Sequence, residues 1–130
     1  MSVFSTLGIS ASALTAERLR MDVVAANLAN VDTTRTASGE VYYRKEVVFR
    51  PLENGGVKAT AVFEDRTTPT RLVYQPEHPD ADARGMVEYP NVVLVNEMVD
   101  LMAANRAYQA NITALNATKE IMSRAINIGR

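Results

Sequence analysis

The sequence predicts an α+β chain in which two long terminal helices form an antiparallel coiled-coil hairpin, with a small β-hairpin and a β-rich middle segment inserted between them. Apolar residues recur at helical steps near the start, in Leu7, Ala11, Leu14, Met21, Ala25 and Leu28. They recur again near the end, in Leu94, Met98, Leu101, Tyr108, Ile112, Leu115, Met122 and Ile126. Spacing of this kind marks helices that bury one stripe against a partner. Between them, from about Val31 to Pro90, short β-branched and aromatic runs are punctuated by Gly and Pro. Residues 1–34 are therefore expected to form the first helix of an inner coiled-coil domain, 35–90 a β-rich segment with a proline-rich loop, and 91–130 the second helix of that domain.

The first helix is expected to begin near Ser2 or Ser5, either of which could cap it, and to run to about Asn30, where Asp32-Thr33-Thr34 supplies turn chemistry. At 1.5 Å per residue it would be on the order of 40 Å long. Its Ala-rich seam favours close backbone approach, and Gly8 is a local weakness. The run Val41 to Phe49, ended by Pro51, and the run Val57 to Phe63 flank Glu53-Asn54-Gly55-Gly56. Asn-Gly between two such runs signals a hairpin, because tight hairpin turns need positive φ. Alternation places Val57, Ala59, Ala61 and Phe63 on one face of the second strand. A third short strand is expected at Arg71 to Tyr74, and Pro76-Glu77-His78-Pro79-Asp80 reads as a stiff loop. The closing helix should start after Pro90, with Asn91 as its cap, and end near Ile128 at Gly129. Asn105 interrupts the closing seam and is expected to fix the register of pairing.

Composition narrows the function classes. The chain of 130 residues has a net charge of -1 and no cysteine. A near-neutral chain without a basic cluster is a poor nucleic-acid ligand, because phosphate binding needs grouped Lys and Arg. Without cysteine, cohesion rests on packing alone, and disulfides and thiolate chemistry are excluded. Every apolar run is broken well short of the roughly 20 residues that span a bilayer. Val3 to Ala16 is mildly apolar and contains Ala11-Ser12-Ala13, but it lacks a basic leader and the seam continues through it, so a retained helix is expected here in place of a cleaved signal peptide.

Catalytic chemistry finds little support. His78 is the only histidine and has no nucleophile at recognisable spacing. Asp80-Ala81-Asp82-Ala83-Arg84-Gly85 imitates a calcium loop, yet Arg84 puts a cation where a ligand belongs and Asn91 stands where a bidentate Glu is needed. The acceptor patterns at Asn111 and Asn116 fall inside the closing helix, and no phosphate-binding or dinucleotide motif is present. No enzyme, cofactor, metal or small-molecule substrate is expected. Apolar residues beside the main seams, Val23, Val24, Val95, Val99 and Met102, exceed what two paired helices and a compact insertion can cover. Other chains are expected to cover them, and the isolated subunit to be frayed at its ends.

Two segments carry a family resemblance. Ala26-Asn27-Leu28-Ala29-Asn30-Val31-Asp32-Thr33, at the end of the first helix, resembles the signature of the bacterial flagellar rod and hook family of axial proteins. The stretch from Asn96-Glu97-Met98 to Gln109-Ala110-Asn111 resembles that family's C-terminal motif. Tyr74 to Ala81, with Gly85-Met86-Val87 and Tyr89 to Val92, narrows the resemblance to a short proximal-rod member, with Met86 where an aromatic would be expected.

The resemblance implies a structural subunit of the basal-body rod, part of a helical drive shaft that passes motor torque outward. It implies export through the flagellar type III apparatus without signal cleavage and a place in the periplasmic rod. The implied partners are other copies of the chain, rod proteins of the FlgB, FlgF, FlgG and FliE types, and the membrane-ring base. The two apolar seams, with Asn105, would be the assembly interface. The competing reading is a soluble α-hairpin adaptor or export chaperone of the same system.

Overall fold

A computed structural model describes residues 3–129. The element order is α1 (Val3–Ala29), β1 (Lys45–Pro51), β2 (Val57–Glu64), β3 (Arg71–Tyr74), β4 (Met86–Tyr89) and α2 (Leu94–Ile128). The α+β architecture expected from the sequence is present, with two long helices packed on each other and a β-rich segment between them. Asn27 near the end of α1 contacts Glu97 near the start of α2, and from there α2 returns antiparallel along α1. Because α2 has 35 residues and α1 has 27, counting back from that contact puts Val3 opposite about residue 121. The last two turns of α2 overhang.

α1 is the central element, packed against α2 and also against β1 and β2. Its buried residues, Ser10, Ala16, Val23, Val24 and Asn27, reflect that double contact, whereas α2 buries only Glu97 and Ala104. Small side chains at Ala16 and Ala104 let the helix backbones approach closely. A second cluster of Val41, Tyr42, Val87, Pro90 and Val92 closes the end of the molecule where the middle segment meets the helices.

The middle segment holds two separate two-stranded antiparallel sheets, β1-β2 and β3-β4. A lone pair of strands is marginal in water, so each needs support. For β1-β2 that support is α1. The Val57 N–H donates to Ser12 Oγ at 3.1 Å, and Ser12 Oγ donates in turn to the Ile9 carbonyl at 2.7 Å.

Several boundaries differ from the sequence expectation. Ser2 lies outside the described residues, and Ser5 lies within the helix rather than at its cap. Asn91 does not cap α2; Val93 holds that position without a side-chain bond, since the Asn91 amide is engaged elsewhere. Gly129 ends α2 at φ -80, so the terminus closes without a left-handed residue. The hairpin turn uses positive φ only at Gly55 (φ 84), with Leu52 and Gly56 bonded across the loop. In β2, Val48 pairs with Ala61 and Phe49 with Ala59, which leaves Thr60 as a bulge. The bulge breaks the expected single face: Val57 and Ala59 lie on the α1 side, but Ala61 and Phe63 turn outward. Strand β4 carried too short an alternation to be read from sequence.

The contact between hairpin and helix generates a paired prediction. A Cβ on Gly56 would lie 2.8 Å from Ser12 Oγ, whereas one on Gly8 meets nothing within 4 Å. Gly56→Ala is expected to lower stability by about 1–3 kcal/mol, and Gly8→Ala to raise it by up to about 1 kcal/mol. Urea unfolding followed by circular dichroism checks both signs.

Candidate functional site

The most constrained part of the molecule is a buried polar joint where α1, the start of β1 and α2 converge. Asn27 is 0% exposed and its amide is fully used. It donates to the Lys45 carbonyl at 2.9 Å and to Glu97 Oε2 at 3.0 Å. Its oxygen accepts the Tyr42 hydroxyl at 3.0 Å and the Lys45 N–H at 2.9 Å. By bonding both backbone groups of Lys45, the side chain acts as a further peptide unit at the start of β1. An amide is the smallest group that carries two donors and two acceptors in one plane.

Glu97 is also 0% exposed, and its second oxygen accepts from Arg44 Nε. Arg44 further contacts Glu46, and its remaining nitrogen lies 3.4 Å from Asp100. A lone buried carboxylate would be costly, so its occupancy on both oxygens is a condition of folding. Desolvation works against the Arg44 charge, but the hydrogen bond and charge of Glu97, aided by Glu46, outweigh it and raise the guanidinium pKa. Burial, followed by the charges of Glu97 and Glu64, raises the Tyr42 phenol.

Adjoining bonds extend the joint. Asn91 accepts the Arg44 N–H at 2.8 Å and donates to the carbonyls of Asp65 at 2.7 Å and Thr68 at 3.1 Å. The Asp65 carboxylate accepts the hydroxyls and N–H groups of Thr67 and Thr68, which hold its pKa well below the usual carboxylate range, with the Thr68 hydroxyl foremost. Asn30 donates to the Ala26 carbonyl and accepts the Thr33 hydroxyl, which closes the end of α1. Asp80 is tied to Thr34 at 2.7 Å and Arg35 at 2.6 Å, and the Thr34 bond leads in lowering its pKa. Of the motif Asn27, Leu28, Ala29, Asn30, Val31, Asp32 and Thr33, the polar members Asn27, Asn30 and Thr33 thus have structural tasks. Asp32 is exposed, 3.7 Å from Arg71.

The helix faces are placed as follows. In α1, Leu7, Leu14, Met21 and Leu28 are half-buried, while Ala11 and Ala25 are exposed. In α2, Leu101, Tyr108, Leu115 and Met122 are half-buried, but Leu94, Met98, Asn105, Ile112 and Ile126 are exposed. The positions that α2 withdraws from solvent between those half-buried residues are Glu97, Ala104, Asn111 and Thr118. Heptad spacing points instead to Met98, Asn105 and Ile112, the residues that follow Glu97, Ala104 and Asn111. The seven-residue repeat of polar or small side chains from Glu97 to Thr118 was the available signal. Val95, Met98, Val99 and Met102 therefore form an exposed apolar strip, with Met98 at 51% and Val95 at 67%.

Elsewhere the side chains are engaged locally. His78 accepts the Asp80 N–H at 3.0 Å and stands edge-on to Tyr89. Asp82 accepts from the N–H groups of Arg84 and Met86. Asn111 bonds back to the Ala107 carbonyl within α2. Among the described residues no group of His, Asp or Glu is arranged to hold a metal ion.

Two family models match the chain: "Flagella basal body rod protein" over residues 7–35 and "Flagellar basal body rod FlgEFG protein C-terminal" over residues 83–128. The chain is 45% identical to the flagellar basal-body rod protein FlgC of Bacillus subtilis, over 100% of both chains. It is 42% identical to the FlgC of Salmonella typhimurium, again over 100% of both, and 40% identical to that of Borreliella burgdorferi over 98% of both. The two matched segments contain most of α1 with Asn27 and all of α2 with Glu97. Each supplies one side of the buried contact.

Asn27→Asp would set a second carboxylate against Glu97 and remove both hydrogen bonds that Nδ2 donates. A loss of about 3–5 kcal/mol is expected, as for breaking a buried ion pair, and Glu97→Gln should cost less because the shape survives. Equilibrium unfolding orders the two. Acid sensitivity has a defined sign: the lowered pKa values of Asp65, Asp80 and Asp82 mean that the unfolded chain binds protons more readily. The stability they give is present above about pH 4 and lost as pH falls through the folded pKa values. Carboxyl titration by NMR should show all three ionised below the usual range, and Asp65→Asn should flatten the acid limb of unfolding.

Proposed function

This chain belongs to the FlgC family of flagellar basal-body rod proteins, and we propose that its paired helices form the inner layer of the rod while the β-rich segment faces outward. It is a structural subunit of that rod and not an enzyme. The observation that carries the proposed arrangement is the apolar strip on α2, which stays exposed although α2 is packed along α1. Helix pairs packed side by side would bury it by many weak contacts acting in parallel, and stiffness follows from their number.

In this reading residues 1–34 and 91–130 make one inner domain and 35–90 the outer unit. Leu94, Met98, Asn105, Ile112 and Ile126 would meet neighbouring subunits. Leu7, Leu14, Met21, Leu28, Leu101, Tyr108, Leu115 and Met122 would hold the pair together, with Ala11 and Ala25 allowing close lateral approach. Contacts between unlike surfaces of successive copies generate rings or helices, as a drive shaft carrying torque requires. The neighbours would be further copies, rod subunits of the FlgB, FlgF, FlgG and FliE types and the ring base, reached by type III export into the periplasmic space without signal cleavage. Similarity along the whole length of rod subunits favours this over an adaptor or export chaperone.

Met98→Asp places a charge in the exposed strip without disturbing the α1 contact. The variant is expected to be exported and helical but absent from isolated basal bodies, leaving cells non-motile. Wild-type swimming with Met98→Asp in the rod would refute the assignment of this face.

A further inference from the structure

The outward face of β1-β2 is assembled by register. Pairing of Glu46 with Phe63, Val48 with Ala61 and Arg50 with Lys58 puts these six residues on the side away from α1. Near the turn, Arg50 and Lys58 stand directly opposite each other, and like charges so placed repel. Neither makes an ion pair or a side-chain hydrogen bond among the described residues. Next to them Val48, Ala61 and Phe63 are exposed, Phe63 at 44%. An apolar sheet face ending in two unneutralised cations is complementary to an anionic, partly apolar surface.

Such a surface exists on the same chain, at the other end of the hairpin. A cleft of about 500 Å³ is bounded by Glu46, Asp65, Asp100 and the exposed Val99, with Glu97 behind them. Glu46, Glu97 and Asp100 face the single guanidinium of Arg44 while Asp65 is held by Thr67 and Thr68, so the cleft keeps a negative excess. Arg50 lies roughly 17 Å along the strand from Lys45, and the hairpin is fixed to α1 through Ser12. Within one chain the cations cannot reach the cleft.

We infer that the outer face of the first hairpin, through Arg50 and Lys58, docks into the acidic cleft of a second copy of this chain. The contact is heterologous, each copy offering its hairpin to one neighbour and its cleft to the other, and it ties the outer parts of adjacent subunits together independently of the helices. It rests on the reading that copies neighbour one another in the rod. Charge complementarity selects the partner site and register, and burial of Val48 and Ala61, next to the two cations, supplies the apolar part.

The absence of cysteine in the sequence makes the test clean. Basal bodies from cells carrying Lys58→Cys with Asp100→Cys are oxidised and run without reductant. Dimers and higher multimers of the chain are expected, with each single variant remaining largely monomeric. Motile cells whose rods contain the double variant but show no more linkage than the singles would overturn the docking while leaving the rod assignment intact. Charge exchange covers a failure of the cysteine pair to assemble. Arg50→Glu with Lys58→Glu should reduce incorporation about tenfold, and Asp100→Lys in the same chain should restore part of it. Undiminished incorporation of the double-Glu chain, or no recovery with Asp100→Lys, counts against the proposal.

Discussion

Everything in this fold depends on keeping one carboxylate dry. Glu97 sits at the start of α2 with no exposure, and its two oxygens are held by residues from two other segments, Asn27 of α1 and Arg44 ahead of β1. Neither partner can move far without stranding a buried charge, and that penalty exceeds the net worth of most single contacts in the chain. The joint therefore sets the height at which α2 begins beside α1 and the point at which β1 leaves them. An apolar cluster of similar size would tolerate sliding. A planar amide bonded at four points does not.

From that fixed point the rest is built outward with little core. The buried apolar residues are few and mostly small, and much of α2 faces solvent. The chain compensates with directional contacts: Asn91 holding Asp65 and Thr68, Ser12 holding the hairpin, and Asp80 holding Thr34 and Arg35. A subunit organised in this way has a well-defined shape at the joint and a large unsatisfied apolar surface along the helices. Both properties suit a part whose final packing is completed by its neighbours.

The architecture was legible because helical periodicity over 27 and 35 residues is hard to produce by chance. The inward stripe of α2 was harder to place. Apolar heptad spacing identifies Leu101, Tyr108, Leu115 and Met122, but Glu97, Ala104, Asn111 and Thr118 complete the face, and no hydrophobicity rule selects a Glu for burial. Asn before a helix usually caps it, whereas the Asn91 side chain is claimed by a tertiary bond to Arg44. The bulge at Thr60 left no mark in the alternation, and it alone decides that Ala61 and Phe63 face outward. Local chemistry was readable, and what escaped depended on partners distant in sequence.

The placement of the two family motifs follows from this. Asn27 and Glu97 are seventy positions apart, yet each is meaningful only with the other, since an isolated Asn would leave its own amide unsatisfied and an isolated Glu its charge. Arg44, from the intervening segment, completes the set. The hairpin is held to the helices through this joint, the Ser12 contact and the packing of β1 and β2 on α1, because α2 itself packs on neither strand of the hairpin. The joint is polar and multiply bonded, so its resistance to twist comes from bond geometry and not from the volume of the core. A small subunit with few large buried side chains can in this way hold its lobe at a fixed angle, which a rod under load requires.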